Sequence, residues 1–217
     1  MKRHIYFIPG TAATSKIFKG LSFPKESFEL HYLEWILPTS KHESLDSYTN
    51  RFMEQISHEN PIIIGVSFGG VLAQEIGKKI NCEKIILISS IKDIRELPKK
   101  LKLIKKLHLY KLIPLIPINF IEKITLHFSG TRLNKTITSY KAYLSYRDPK
   151  YLYWAVKSLL FWSSENHLNN ILHIHGEKDV VFPIKHISNC VRIKKGSHVM
   201  ILLKAKKINK ILSQELA

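Results

Sequence analysis

A serine between two glycines carries the first chemical signal of this sequence, in the run Gly65-Val66-Ser67-Phe68-Gly69. On a tight turn from a strand to a helix, the serine backbone takes an unusual conformation that lifts the hydroxyl above a sheet. The two glycines are needed because the flanking backbone approaches too closely for a Cβ atom. The pattern alone also fits a glycine-rich turn with an idle serine. A buried-strand run at 61–66 and a helical pattern at 71–79 favour a nucleophile.

A serine hydroxyl needs a base to activate it and a third group to orient that base. Asp179 ends the run His-Gly-Glu-Lys-Asp at 175–179, and His198 ends the run Gly-Ser-His at 196–198. Asp179 alone could be a turn residue or cap a short helix at 183–187, and His198 alone could be an ordinary helix residue. Because each residue follows a different predicted strand, in the order Ser, Asp, His, we predict that they meet as a catalytic triad. Asp93 is the alternative acid.

Together these motifs resemble the nucleophile elbow, acid loop and histidine loop of the α/β-hydrolase superfamily. The resemblance spans nearly the whole chain except residues 92–164. It implies an oxyanion hole made by the backbone N–H of Phe68 and a second N–H in the loop after the first strand, here Thr11. Family members often have His-Gly in that loop, where this chain has Pro9-Gly10. Since the sequence begins at this strand, we expect the usual first hairpin of the fold to be missing.

Short apolar runs alternate with amphipathic stretches, which predicts an α/β fold with a mostly parallel central sheet flanked by helices. Strands are predicted at 4–8, 28–35, 61–66, 84–89, 171–175 and 190–193, and helices at 44–56, 69–80 and 199–216. From about 90 to 164 the pattern is helical and interrupted by prolines. We therefore predict a core formed by 1–91 and 165–217, with a helical lid at 92–164 inserted in it.

The segment 99–112 of the predicted lid is a basic amphipathic helix without an acidic residue. Two interpretations stay open for it. Its apolar face could pack over the active site while its lysines are solvated, or the helix could lie on an anionic membrane surface. We also expect the apolar side chains at 101–128 to roof a pocket for an acyl group.

The chain carries 34 Lys and Arg against 17 Asp and Glu, a net charge of +17. Such a charge favours anionic partners, but no nucleic-acid-binding motif accompanies it, so nucleic acid is not the expected partner. Cys82 and Cys190 lack disulfide or zinc spacing and are expected to be free thiols. The first apolar run is too short for a signal peptide, and no stretch is long enough to span a membrane, so a cytoplasmic location is expected.

The expected reaction is hydrolysis of a small or medium acyl ester or thioester, through an acyl-enzyme and without a metal or organic cofactor. Acyl transfer and carbon–carbon bond hydrolysis use the same triad and stay open, as does a binding protein without activity. His173 and His175 alternate on one strand and could imitate a metal pair, but a third ligand is not evident. Their packing within the strand is the preferred interpretation. The sequence does not define the oligomeric state.

Overall fold

The computed structural model describes residues 2–115, 148–164 and 168–217. Within these residues, six strands form one sheet in the order β2-β1-β3-β4-β5-β6, and every neighbouring pair is parallel. The strands are β1 Arg3–Ile8, β2 Phe28–Tyr32, β3 Ile62–Val66, β4 Lys84–Ile88, β5 Ile171–Gly176 and β6 Val191–Ile193. The predicted α/β class with a parallel sheet is confirmed.

Helices cover both faces of the sheet. The α-helices of the described residues are α1 Leu45–Met53, α2 Phe68–Gly77, α3 Lys99–Lys106, α4 Pro149–Phe161, α5 Met200–Leu203 and α6 Ala205–Glu215. Short 3-10 helices lie at Ser15–Phe18, Ile94–Glu96, Leu109–Leu115 and Ile184–His186. Ser44 caps α1, because its hydroxyl accepts a hydrogen bond from the backbone N–H of Ser47.

Two apolar layers lie on opposite faces of the sheet, as the alternation of side chains along a strand requires. In β1, Tyr6 and Ile8 pack with α1, α2 and α4, whereas Ile5 and Phe7 pack with α5 and α6. All five residues of β3 are buried, because this strand lies between β1 and β4 and is covered on both faces. That burial explains why β3 appears in the sequence as a continuous apolar run rather than an alternating one.

Among the predicted elements that the structure shortens or divides, three have a visible cause. The predicted strand 28–35 ends at Tyr32, since the chain leaves the sheet after the N–H of Leu33 bonds to the carbonyl of Phe7. The predicted helix 199–216 is divided into α5 and α6 at Lys204, whose backbone is not helical. The predicted helix 99–112 ends at Lys106, because His108 takes a left-handed backbone conformation with a φ of 55°.

Part of the predicted lid, residues 116–147, lies outside the described residues, as do residues 165–167. The division of the chain into a core and an inserted lid therefore stays a prediction. Of the helices that are described, none combines the length and the apolar character needed to cross a bilayer.

Gly65 has no space for a side chain, and we expect Gly65→Ala to lower the free energy of unfolding by about 1–3 kcal/mol. An added Cβ would overlap the backbone of Gly69 and Gly70, which cannot move without distorting α2. Gly77→Ala is the matched control, because a Cβ there meets mainly the tip of the Ile85 side chain, which can turn away. The control should stay within about 1 kcal/mol of the wild type. Urea unfolding measures both values, and equal losses would contradict this account.

Candidate active site

Ser67 occupies the turn between β3 and α2 with a left-handed backbone, at φ 52° and ψ −120°. Its own N–H donates to the carbonyl of Ile88 at the end of β4. Its carbonyl accepts hydrogen bonds from the N–H of Gly70 and, at 2.6 Å, from the hydroxyl of Ser90. These bonds on both sides of the residue hold the turn in a conformation that a non-glycine residue rarely adopts. The Ser67 side chain stays partly exposed.

The glycines of the motif sit where the main chain passes closest to itself. A Cβ on Gly69 would overlap the carbonyls of Ile8, the last residue of β1, and of Pro9, which follows it. A Cβ on Gly70 would meet the side chain of Ser90. The glycine spacing in the sequence therefore has the predicted cause, which is the close approach of α2 to the ends of β1 and β3.

Asp179 and His198 lie on two adjoining loops that follow β5 and β6. The N–H of Lys178 donates to the carbonyl of Gly196 at 2.7 Å, which fastens one loop to the other. His198 Nδ1 is 2.8 Å from Asp179 Oδ2, and His198 Nε2 is 3.1 Å from Ser67 Oγ. The structure thus brings the three predicted residues into one chain of hydrogen-bond contacts.

Asp179 is fully buried, yet the balance of its surroundings favours the carboxylate. Burial acts to raise the pKa of Asp179. The charge attraction and the hydrogen bond from His198, together with His175 and the N–H of Phe182, lower this pKa by more than burial raises it. The net result is a pKa below the ordinary value. The second oxygen, Oδ1, accepts hydrogen bonds from the N–H groups of Val181 and Phe182, both at 2.9 Å.

The contacts of His198 define its neutral tautomer. Because an ionised carboxylate only accepts hydrogen bonds, the Nδ1 of His198 must carry the proton that points to Asp179. Nε2 is then free to accept the hydroxyl proton of Ser67. A serine in this arrangement can lose its proton to the imidazole as it attacks an electrophilic carbon.

The loop after β1 lies beside Ser67, since a Cβ added to Gly10 would stand 3.5 Å from the Cβ of Ser67. The Gly10 carbonyl accepts hydrogen bonds from Trp35 Nε1 and from the N–H of Ala13, both at 3.0 Å. In a trans peptide the next N–H, that of Thr11, points the opposite way from this carbonyl. Phe68 is the first residue of α2, where backbone N–H groups lack an acceptor within the helix.

Solved structures share this architecture over nearly their whole length. A bromoperoxidase from Bacillus anthracis is 18% identical, with a TM-score of 0.76 over 100% of this chain and 92% of that one. An esterase from Thermogutta terrifontis is 12% identical, with a TM-score of 0.74 over 100% and 90%. A hydrolase from Pseudomonas aeruginosa is 11% identical, with a TM-score of 0.78 over 100% and 90%. The chain has the α/β-hydrolase fold.

No protein-family model matches the sequence, and no curated protein matches it either. The structural similarity establishes the α/β-hydrolase fold. Sequence identities this low leave the reaction open, because one fold carries many chemistries.

Asp93, the alternative acid, forms its side-chain contacts with Arg95. It caps the 3-10 helix Ile94–Glu96 and forms an ion pair with Arg95 at 2.7 Å. The side-chain hydrogen bond from Arg95 is the main reason that the pKa of Asp93 is lowered. His198 has its carboxylate contact with Asp179 instead.

Ser90 and Trp35 contribute contacts that the motifs did not reveal. Ser90 bonds to the carbonyl of Ser67, and Trp35 bonds to the carbonyl of Gly10, so each fixes one side of the site. The position of Ser90, two residues past the end of β4, is a signal that sequence reasoning could have used, because β4 neighbours β3 in the sheet. Trp35 offers no local signal, since it lies 25 residues from Gly10.

His173 and His175 are buried beneath the acid loop. His175 Nε2 lies 2.8 Å from the carbonyl of Phe182 and must donate to it, so His175 Nδ1 accepts from His173 Nε2 at 3.2 Å. His175 Nε2 also lies 3.5 Å from Asp179 Oδ2. Burial lowers the pKa of His173 to about 3 and lowers the pKa of His175 as well. Both imidazoles are therefore neutral structural groups near neutral pH.

We expect acid to destabilise the protein through His173 before the carboxylates titrate. Below about pH 6.5 the unfolded chain binds a proton at this residue that the folded chain does not bind, so stability falls as the pH is lowered. The loss is about 1.4 kcal/mol per pH unit and continues until the folded histidine titrates near pH 3. Urea unfolding of His173→Gln between pH 6.5 and 4.5 should show a shallower slope than the wild type.

His42→Gln is the control for this measurement, because His42 is exposed and hydrated in both states. It should keep the wild-type slope. An unchanged slope in His173→Gln would show that acid acts through other groups.

Proposed function

We propose that this chain is a serine hydrolase that cleaves a carboxylic ester or thioester through an acyl-enzyme on Ser67. The observation that carries the proposal is the contact chain from Asp179 through His198 to a partly exposed Ser67 on a left-handed turn. Structural neighbours named as an esterase and a hydrolase support the reaction class without defining a substrate.

In the proposed reaction His198 takes the proton from Ser67 as Oγ attacks the carbonyl carbon, and Asp179 stabilises the imidazolium that forms. The N–H groups of Phe68 and Thr11 are the proposed donors to the oxyanion, and one such donor is typically worth about 2.7–4 kcal/mol of barrier. His198 then protonates the leaving alcohol or thiol. Water, deprotonated by the same imidazole, releases the acid and restores Ser67. The residues named here supply each step, so the proposal requires no metal or organic cofactor.

We expect Ser67→Ala to lower p-nitrophenyl ester hydrolysis by about 10⁴- to 10⁶-fold, and His198→Ala to do the same. The double variant should lose no more than either single one, because nucleophile and base act as a unit. Rates across acetate, butyrate and octanoate esters report the acyl length that the site accepts. Ser213→Ala, an exposed serine of α6, is the matched control and should keep wild-type activity.

A serine-reactive fluorophosphonate separates an enzyme from a binding protein. The wild type should be labelled at Ser67 and the alanine variant should not. A wild type that resists the probe and is inert on every ester would contradict the proposal. Labelling without ester hydrolysis would instead favour acyl transfer or carbon–carbon bond cleavage on the same residues, which other acyl acceptors and diketones then test.

We also propose that α3 and the turn after it contact an anionic membrane surface. Leu101 and Ile104 pack against the main apolar cluster, but Leu103 and Leu107 lie on the outer side with more than half of their surface exposed. The intervening lysines carry positive charge, and the sequence 97–115 contains no Asp or Glu. Exposed leucines among lysines match the acyl boundary and the headgroups of an anionic leaflet.

This surface is joined to the proposed active site through buried contacts. Tyr110 belongs to the same apolar cluster as Phe68, the residue that follows Ser67. A membrane contact at α3 would bring the proposed hydrolase to a surface in which acyl esters dissolve.

We expect the protein to sediment with vesicles containing phosphatidylglycerol and not with pure phosphatidylcholine vesicles, and to be released by high salt. Leu103→Ser should weaken this binding by about tenfold or more, because a leucine fully withdrawn from water contributes about 1.5–3 kcal/mol. Leu37→Ser is the matched control, since Leu37 is as exposed as Leu103, at 52% each. Equal weakening in both variants, or binding that ignores lipid charge, would contradict the assignment of this surface.

A further inference from the structure

Three histidines from distant parts of the chain meet on the face of the sheet that α1 covers. His4 lies in β1, His31 in β2, and His58 in the loop between α1 and β3. Parallel register pairs His4 with Glu29 and Tyr6 with His31, so these four side chains project from the same face. The loop then adds His58, whose Nδ1 lies 2.6 Å from the hydroxyl of Tyr6.

The potential ligand atoms of the three histidines all lie within 4.8 Å of one another. His4 Nδ1 and His31 Nε2 are 3.1 Å apart. A tetrahedral ion with Zn–N bonds of about 2.0–2.1 Å separates its ligand nitrogens by roughly 3.3–3.4 Å, close to this distance. The carboxylate of Glu29 approaches both rings, with one oxygen 3.9 Å from His4 Nδ1 and the other 3.9 Å from His31 Nε2.

The electrostatic setting also suits a cation. Three imidazolium cations at these distances would repel one another, and neutral imidazole is the form that binds metal. A divalent ion would replace the hydrogen-bond contact between His4 Nδ1 and His31 Nε2. It would also be attracted to the carboxylate of Glu29.

We propose that His4, His31 and His58, with Glu29 as the fourth ligand, bind a divalent transition ion such as Zn²⁺. Imidazole nitrogens with one carboxylate oxygen form a donor set that favours such ions over Ca²⁺ or Mg²⁺. Binding requires one rearrangement, because the rings of His4 and His58 stack at 3.5 Å and 9° and so direct their lone pairs into parallel planes. His58 lies in a loop and can rotate toward the ion.

The site is separate from the proposed catalytic residues. His4 precedes Ile8 by four residues, about 13 Å along an extended strand, and Ile8 is the residue whose carbonyl approaches the Ser67 turn. An ion here would fasten β1, β2 and the loop before β3 to one another. Its role is therefore structural, and it does not depend on the proposed hydrolase activity.

Titration of the metal-free protein with Co²⁺ tests the site, because tetrahedral Co²⁺ gives intense visible absorption and reports the donor set directly. We expect one equivalent to bind, Zn²⁺ to displace it, and Zn²⁺ to raise the melting temperature of the wild type. His31→Ala and His58→Ala should each lose the absorption and weaken Zn²⁺ binding by about 100-fold or more, beyond the 10–100-fold typical of changes outside the ligands themselves. Circular dichroism of the metal-free variants verifies that they fold.

Two matched controls locate the ion. His42→Ala removes an exposed histidine outside the cluster and should keep the spectrum. His198→Ala removes the imidazole beside Ser67 and should keep it as well. Loss of the Co²⁺ absorption in His198→Ala would place the ion at the active site and overturn the proposal. Unchanged binding in folded His31→Ala and His58→Ala would also overturn it, as would a wild type that shows no tetrahedral spectrum.

Discussion

The left-handed backbone of Ser67 is the constraint on which the geometry of the site depends. A non-glycine residue in such a region costs about 1–3 kcal/mol, so the surrounding structure must hold it. The neighbouring strand does so at the Ser67 N–H, through Ile88, and Ser90 does so at the carbonyl. In this conformation Oγ lies 3.1 Å from His198 Nε2.

Parallel strands bring the residues of the site together, because the carboxyl ends of these strands share one edge of the sheet. Ser67 follows β3, Ser90 follows β4, Asp179 follows β5 and His198 follows β6. Asp179 serves two purposes at this edge. One oxygen closes its own loop through backbone N–H groups, and the other orients His198, so the fold of the acid loop and the direction of the imidazole depend on one carboxylate.

Sequence reasoning reached the parallel sheet, the order of its strands along the chain and the residues that meet at its edge. It succeeded where the signal is local, as in the apolar run before Ser67 and the glycines whose spacing reflects backbone contact. Sequence reasoning failed where contacts between distant segments determine the structure. The periodicity of 199–216 is continuous, so it could not indicate the break in the helix at Lys204. Trp35 and the histidine cluster depend on contacts between distant segments, which no local pattern records.

The proposed base and nucleophile belong to parts of the sheet that differ in their exposure to solvent. Ser67 follows β3, which is buried throughout, whereas His198 follows β6, a three-residue edge strand with two exposed residues. Edge strands with few buried side chains open at lower free energy than central ones. We therefore expect mild warming to loosen this edge before the central strands open. For the proposed enzyme, the catalytic rate during mild warming would then report the opening of this one edge rather than the unfolding of the whole chain.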